Sequence, residues 1–244
     1  MRVGILGSGL MGGKLGTLFA RAGHEVVFSY SRRPATLKRL AREAGAKARA
    51  GTPAEAARDA DALLLAVHWS RVDDGLEQAG DVSGKVFVSC SLPMNADSTE
   101  LVVARTSSGA ETLARKVPAA RVVSAFETVP SEVLFRVFEG QGDAARPSLV
   151  YCGDDRSGKR VAAGLIRDVG FDPVDAGPLR MARYTEPFAL LVPQLAYGGK
   201  KGPELAYRFE SFGKQALSAR RSTHDISRWN SATCAAKGPP TPRE

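Results

Sequence analysis

The sequence predicts an α/β protein of the Rossmann type, a doubly wound, mostly parallel sheet followed by a small helical C-terminal element. Three observations predict it. Short apolar runs alternate with helical segments of about ten residues. Glycines fall at GxGxxG spacing directly after the first run. Some runs are apolar at every position, as strands covered on both faces are.

Each element can be justified in order. Arg2–Leu6 is a first strand ending in glycines, and Leu10–Ala22 follows as a helix. Glu25–Tyr30 (EVVFSY) is a second strand, and Ala35–Ala44 a basic amphipathic helix. Ala46–Ala50 is a weak third strand. Thr52 and Pro53 then open a short helix, threonine as cap and proline in the first turn. Asp61–Val67 (DALLLAV) reads as a buried parallel strand, Ser70–Ala79 as a helix and Lys85–Ser89 as a fifth strand. A helix over Gly109–Lys116 leads to a sixth strand, Arg121–Phe126. A further unit comprises Ser148–Cys152, a helix over Ser157–Val169, and Pro173–Asp175. Such units imply parallel pairing and right-handed crossovers. Ala182–Tyr197 reads as an apolar helix that Pro187 and Pro193 should break or kink. After about Lys214 periodicity fails, and residues 215–244 are expected to be a disordered tail.

The 244 residues carry a formal net charge of +8, which first suggests a polyanion partner such as nucleic acid or a membrane surface. Its distribution argues otherwise. Residues 1–51 hold ten basic and two acidic side chains, whereas residues 52–214 hold 19 and 22. The excess therefore belongs to the segment around the glycine turn, and neither a nucleic acid nor a membrane is expected as partner. The three cysteines, Cys90, Cys152 and Cys234, show no metal-ligand or disulfide spacing, so no metal site is expected. The N-terminal run superficially resembles a secretion signal, but Lys14 interrupts it, and no apolar stretch is long enough for a membrane span. A cytoplasmic protein is expected.

Gly7-Ser8-Gly9-Leu10-Met11-Gly12 is the GxGxxG sequence, placed between a strand and a helix as dinucleotide binding requires. Gly7 would make the tight turn, Gly9 would admit a pyrophosphate, and Gly12 would let the helix pack closely on the strand. The free N–H groups at the helix start would receive the phosphates. The end of the second strand chooses the dinucleotide. An NAD site usually has a carboxylate there. This chain reads Ser29-Tyr30-Ser31-Arg32-Arg33, with no carboxylate from Val26 to Leu40. Hydroxyl and guanidinium donors suit the 2′-phosphate of NADP(H), and Lys38 adds positive potential one turn on.

With these residues in view, the sequence resembles the NADPH-dependent coenzyme F420 reductase family, the F420-dependent NADP oxidoreductases. The resemblance rests on MRVGILGSG, GHEVVFSYSRR, AVHW, VFVSCSLP, SAFETVP, CGDD and VDAGPL, and spans residues 1 to about 210. The same fold family includes the NADPH-binding cytoplasmic domains of membrane ferric reductases. The resemblance implies hydride transfer between NADP(H) and a second redox partner, coenzyme F420 or a related deazaflavin or flavin, with no protein acid, base or nucleophile required. It implies that Gly7 to Met11 cradle the pyrophosphate and that Ser31, Arg32 and Arg33 take the 2′-phosphate. Ala66, Val67 and His68 would line the ribose side. Ser89, Cys90, Ser91 and the 127–131 segment, with Val129 and Ser131, would border the nicotinamide. Two departures stand out. Glu127 replaces a histidine of a SALHTIP-like segment, which makes it the candidate substrate-facing residue, and GSGLMG is one residue shorter than the family's GGTGNLG turn.

The expected organisation is an NADP-binding domain over residues 1–178 and a helical element over 179–214 that helps close the site and forms a homodimer. Competing readings are a non-catalytic NADP(H) sensor and an NADPH-dependent reductase of a metal chelate or carbonyl. A β-hydroxyacid dehydrogenase would need a longer helical second domain than residues 179–214 supply. Glu127 could alternatively pair with an arginine, His68 and Trp69 could simply pack, and Asp154 and Asp155 read as a helix cap.

Overall fold

The structure, a computed structural model, describes residues 1–140, 146–198 and 202–211. The expected tail, with His224 and Cys234, lies outside the described residues. The strands are β1 (Arg2–Leu6), β2 (Glu25–Ser29), β3 (Ala48–Ala50), β4 (Ala62–Leu65), β5 (Val86–Ser89), β6 (Arg121–Ala125), β7 (Ser148–Gly153) and β8 (Asp172–Asp175). They form one sheet in the order β3-β2-β1-β4-β5-β6-β7-β8. The chain winds outward from β1 to β3, then returns to the other side of β1 with β4. The carboxyl ends of β1 and β4 therefore flank a topological switch point, where open α/β sheets bind ligands.

The helices are α1 (Leu10–Arg21), α2 (Pro34–Ala44), α3 (Pro53–Arg58), α4 (Val72–Ala79), α5 (Gly109–Lys116), α6 (Val133–Glu139), α7 (Arg156–Asp168) and α8 (Ala182–Tyr197). One face of the sheet is covered by α1, α2, α6 and α7 through Leu15, Leu40, Leu134 and Ala162. The other is covered by α3, α4, α5 and α8 through Ala56, Val72, Leu113 and Ala182. Alternate strand residues serve the two cores, Ile5 and Leu64 on one face, Leu6 and Leu63 on the other. Each such fully buried side chain contributes about 1.5–3 kcal/mol.

Local chemistry accounts for several boundaries. Thr52 accepts from the Glu55 N–H while the Glu55 carboxylate accepts from the Thr52 N–H, so a capping box starts α3. Ser108 caps α5, and Asp155 caps α7 by accepting from Gly158.

Three features differ from expectation. The pair β6–β7 is antiparallel, with Ser124 opposite Cys152, although β8 is again parallel to β7. Helix α6 was not anticipated, because VLFRVFE is nearly apolar throughout and shows no helical period. Helix α8 runs through Pro187 and Pro193 without ending. Its buried face (Thr185, Glu186, Ala189, Val192, Ala196) is anchored strongly enough to outweigh two missing backbone donors. Residues Met1–Arg208 form one compact unit, and α8 packs within it.

Candidate functional site

The glycine loop is shaped by contacts that only glycine permits at two positions. Gly7 has φ +108, and a Cβ there would strike the Ala66 carbonyl and the Val67 side chain at the end of β4. Gly12 lies under the loop, where a Cβ would strike the Gly7 carbonyl oxygen and come within 2.9 Å of the Ala66 Cβ. The loop is thus pressed against β4 from both sides. Above Gly9 the space is open, with nothing within 4 Å of an added Cβ. Gly9 is also the N-cap of α1 and supplies no side-chain cap. The first N–H groups of that helix, with exposed Leu10 and half-buried Met11 beside them, are left for an anion.

The loop is tied to the end of β2. The Gly7 N–H donates to the Ser29 carbonyl at 3.2 Å, the Ser8 N–H to the Tyr30 carbonyl at 3.2 Å, and the Ser8 hydroxyl to the Ser29 carbonyl at 2.8 Å. Immediately beyond stand Ser31, Arg32 and Arg33. The Ser31 hydroxyl oxygen accepts from the Arg33 N–H at 3.3 Å, which shapes the turn into α2. The cations here fall into two groups. Arg39 is engaged by Glu43 at 2.7 Å, whereas the side chains of Arg32, Arg33 and Lys38 are exposed and pair with no described residue. An unpaired cluster of this kind beside an open helix N-terminus suits a phosphorylated ligand.

On the other bank, Ala66 is half-buried, Val67 is buried and His68 is exposed. His68 Nδ1 accepts from the Ser70 N–H at 3.3 Å and caps the 3-10 turn Trp69–Arg71. Ser89 and Ser91 are buried, and the Ser91 hydroxyl lies 2.8 Å from the Val67 carbonyl and 3.2 Å from its N–H. Ser91 therefore staples the ends of β4 and β5, so its hydroxyl is occupied within the protein. The Cys90 thiol points at the Leu65 carbonyl, and burial holds its pKa well above the usual thiol range. Val129 is a core side chain at 3% exposure, which leaves only its backbone for any ligand. Ser131 is occupied by Lys14, whose ammonium donates to both its carbonyl (3.0 Å) and its hydroxyl (3.2 Å). The lysine that interrupts the N-terminal apolar run thus fastens α1 to the 127–131 segment.

Glu127 follows Phe126, which is held at φ 74, a left-handed conformation that costs a bulky residue about 1–3 kcal/mol. That turn folds the carboxylate back, where Oε1 accepts from the Ser124 hydroxyl at 2.9 Å and the Thr185 hydroxyl at 3.2 Å. Oε2 is buried without a hydrogen-bond partner, and no described arginine pairs with the group. Burial pushes its pKa up to about 7 against the two hydroxyl donors. Glu186 on α8 is its near neighbour. It accepts from the Gly109 and Ala110 N–H groups, each at 2.9 Å, at the start of α5. Burial raises its pKa to about 7 as well. Glu186 is not among the residues the sequence singles out; its being the one carboxylate of a mostly apolar helix was the available signal.

A carboxyl whose folded pKa exceeds its unfolded value stabilises the fold at low pH and loses that contribution as pH rises between the two. Wild-type protein is therefore expected to lose stability from about pH 5 to about pH 8, on the order of a few kcal/mol. Glu127→Gln should flatten that decline, measured by urea unfolding at both pH values. An unchanged slope would remove Glu127 from the titration.

Fold and loop together define a Rossmann-type dinucleotide-binding architecture. Residues 2–93 match the model of the family described as NADP oxidoreductase, coenzyme F420-dependent. The chain is 32% identical over 189 residues to the metalloreductase STEAP3 of Rattus norvegicus, covering 78% of this chain but only 36% of that protein. A candidate F420-dependent NADP reductase from Arthrobacter sp. FB24 shares the fold with TM-score 0.76 at 22% identity, over 86% of this chain and 100% of that one. A reductive aminase from Aspergillus terreus, solved with NADPH and ethyl levulinate, superposes with TM-score 0.58 at 19% identity, over 78% of this chain and 59% of its own. Among the described residues no helix is long and apolar enough to cross a membrane, and no His, Cys, Asp and Glu group could hold a metal ion.

Proposed function

We propose that the chain transfers a hydride between NADP(H) and a second redox partner of the coenzyme F420, deazaflavin or flavin class. The observation that carries this reading is the triplet Ser31-Arg32-Arg33, free of ion-pair partners among the described residues and joined by backbone bonds to the glycine loop. The residues fit a 2′-phosphorylated dinucleotide. Gly7 and Gly12 hold the loop down, Gly9 leaves room above it, and cations without a carboxylate stand where the 2′-position falls.

When bound, NADPH supplies the hydride. The protein's part is to bind, orient and keep water out. Gly7 to Gly12 receive the pyrophosphate through the α1 N-terminus. Ser31, Arg32, Arg33 and Lys38 receive the 2′-phosphate, and Ala66, Val67 and His68 border the ribose. The backbone of Ser89, Cys90 and Ser91 and of the Glu127–Ser131 segment borders the nicotinamide. Glu127, the expected substrate-facing residue, follows at this edge with its carboxylate turned inward onto Ser124 and Thr185, which leaves its backbone for contact with an acceptor. The cytoplasm as compartment and a homodimer belong to the same reading. Tyr184, Leu191 and Leu195 on α8, all more than half exposed, support a second copy as partner.

A ferric chelate as acceptor is the second reading, favoured by the identity with the metalloreductase. Because the chain spans about a third of that relative, the relative's activity is carried over only as a proposal. Incubating the protein with NADPH and oxidised coenzyme F420, a flavin or a ferric chelate separates these readings by which acceptor is reduced. Tight NADPH binding with no acceptor reduced would instead favour a sensor.

A further inference from the structure

Tyr30 stands one residue past β2, at the corner where the chain turns towards Ser31 and Arg32. It is held at φ 56, in the left-handed region that costs a bulky residue about 1–3 kcal/mol. Two sets of contacts hold it there. On the backbone side its carbonyl accepts from the Ser8 N–H at 3.2 Å, which registers the corner against the glycine loop. On the side-chain side the phenol crosses to α4 and donates to the Asp74 carboxylate. The phenol oxygen also accepts from Arg71 Nε at 3.1 Å, and Arg71 Nη2 closes the ring of contacts on Asp74 at 2.8 Å. Gln78 steadies the far oxygen of Asp74 at 3.1 Å. The tyrosine ring lies beside Gly75, 3.9 Å from where a Cβ would stand, and packs against the cluster that contains Val72.

The clamp spans the crevice at the switch point. One end is the corner of β2 that carries Ser31 and Arg32; the other is the turn after β4 that carries Arg71. Arg71 Nη1 bonds to no described residue, so a guanidinium fixed through its other two nitrogens is left with a donor edge.

We propose that Tyr30 is a positioning residue that sets the preference for a 2′-phosphorylated dinucleotide, acting through its bond to Asp74 and Arg71. The inference rests on the reading that Ser31 and Arg32 receive the 2′-phosphate. Releasing the phenol lets Tyr30 leave its left-handed conformation and re-aims Ser31 and Arg32. The pyrophosphate loop keeps two of its three ties, because the Gly7 N–H and the Ser8 hydroxyl bond to Ser29 and only the Ser8 N–H bonds to Tyr30. The clamp should therefore matter for NADPH and hardly at all for NADH.

The test is to titrate NADPH and NADH separately into wild type, Tyr30→Phe, Asp74→Ala and the double variant. Each single variant is expected to weaken NADPH roughly tenfold, the size of one lost charge-assisted hydrogen bond, with NADH within about twofold. The double variant should lose no more than either single one. Asp74 lies on the surface of α4, so its variant carries the test if Tyr30→Phe fails to fold. A wild-type NADPH:NADH ratio retained in both single variants would overturn the inference alone. A wild-type ratio near one would overturn the underlying reading and the inference with it. A purely structural role for Tyr30 would weaken both dinucleotides equally, and that result too would overturn the proposal.

Discussion

Arg32→Ala is expected to weaken NADPH binding roughly ten- to a hundredfold while changing NADH by less than about twofold. The size follows from a hydrogen bond between ionised partners, about 1.5–3 kcal/mol, and about 1.4 kcal/mol per factor of ten. The selectivity follows from where Arg32 stands. Its guanidinium is exposed, pairs with no described residue, and lies beyond the strand end that the glycine loop grips. Removing it breaks nothing in the fold, so the thermal midpoint should hold. Arg39→Ala is the matched control: Arg39 is already paired with Glu43, and its loss should move the NADPH affinity far less. Fluorescence or calorimetric titration with both dinucleotides checks this, and equal losses for NADPH and NADH would remove Arg32 from the 2′-phosphate site.

Gly12→Ala should abolish the distinction between folding and binding defects by damaging both. The added methyl would meet the Gly7 carbonyl oxygen and the Ala66 Cβ, neither of which is the end of a flexible chain. Helix α1 must then lift from β1 and β4, loosening Leu15, Leu18 and Phe19 in the core. A loss of about 1–3 kcal/mol in stability is expected, with NADPH and NADH both weakened at least about tenfold. Gly9→Ala is the informative contrast. Nothing lies within 4 Å of its Cβ, so stability should be kept while a methyl intrudes on the space above the loop. Thermal melts beside dinucleotide titrations separate the two. A Gly12→Ala protein with wild-type stability and binding would contradict the packing described here.

Much of the fold was legible because local signals agreed with one another. The alternation of apolar runs and helical segments located all eight strands within a few residues, and GxGxxG fixed the direction of the first unit. What escaped was set by tertiary contact. Nothing in SLVYC marks β7 as antiparallel to β6, since strand direction leaves no trace in a run buried on both faces. Pro187 and Pro193 argued locally against the helix that packing imposes. In the candidate site, the packing roles of Gly7 and Gly12 could be read from spacing, and the proposed roles of Gly9, Ser31 and Arg32 rest on open space and on charge. The partners that hold them could not be read from spacing. Tyr30 and Asp74 are 44 residues apart, and Lys14 and Ser131 are 117 apart. Ser91 and Val129, expected at the nicotinamide edge, have side chains engaged in the protein itself, a distinction that only burial and bonding reveal.

NADP(H) bound at this site is expected to give up its hydride to a second redox cofactor. The most direct measurement follows the absorbance of NADPH and of oxidised coenzyme F420 together after mixing with catalytic amounts of the protein. Loss of both signals in equal molar amounts, abolished in Gly12→Ala and slowed at limiting NADPH in Arg32→Ala, is the expected result. Saturation with NADPH while the deazaflavin, a flavin and a ferric chelate all stay oxidised would contradict it.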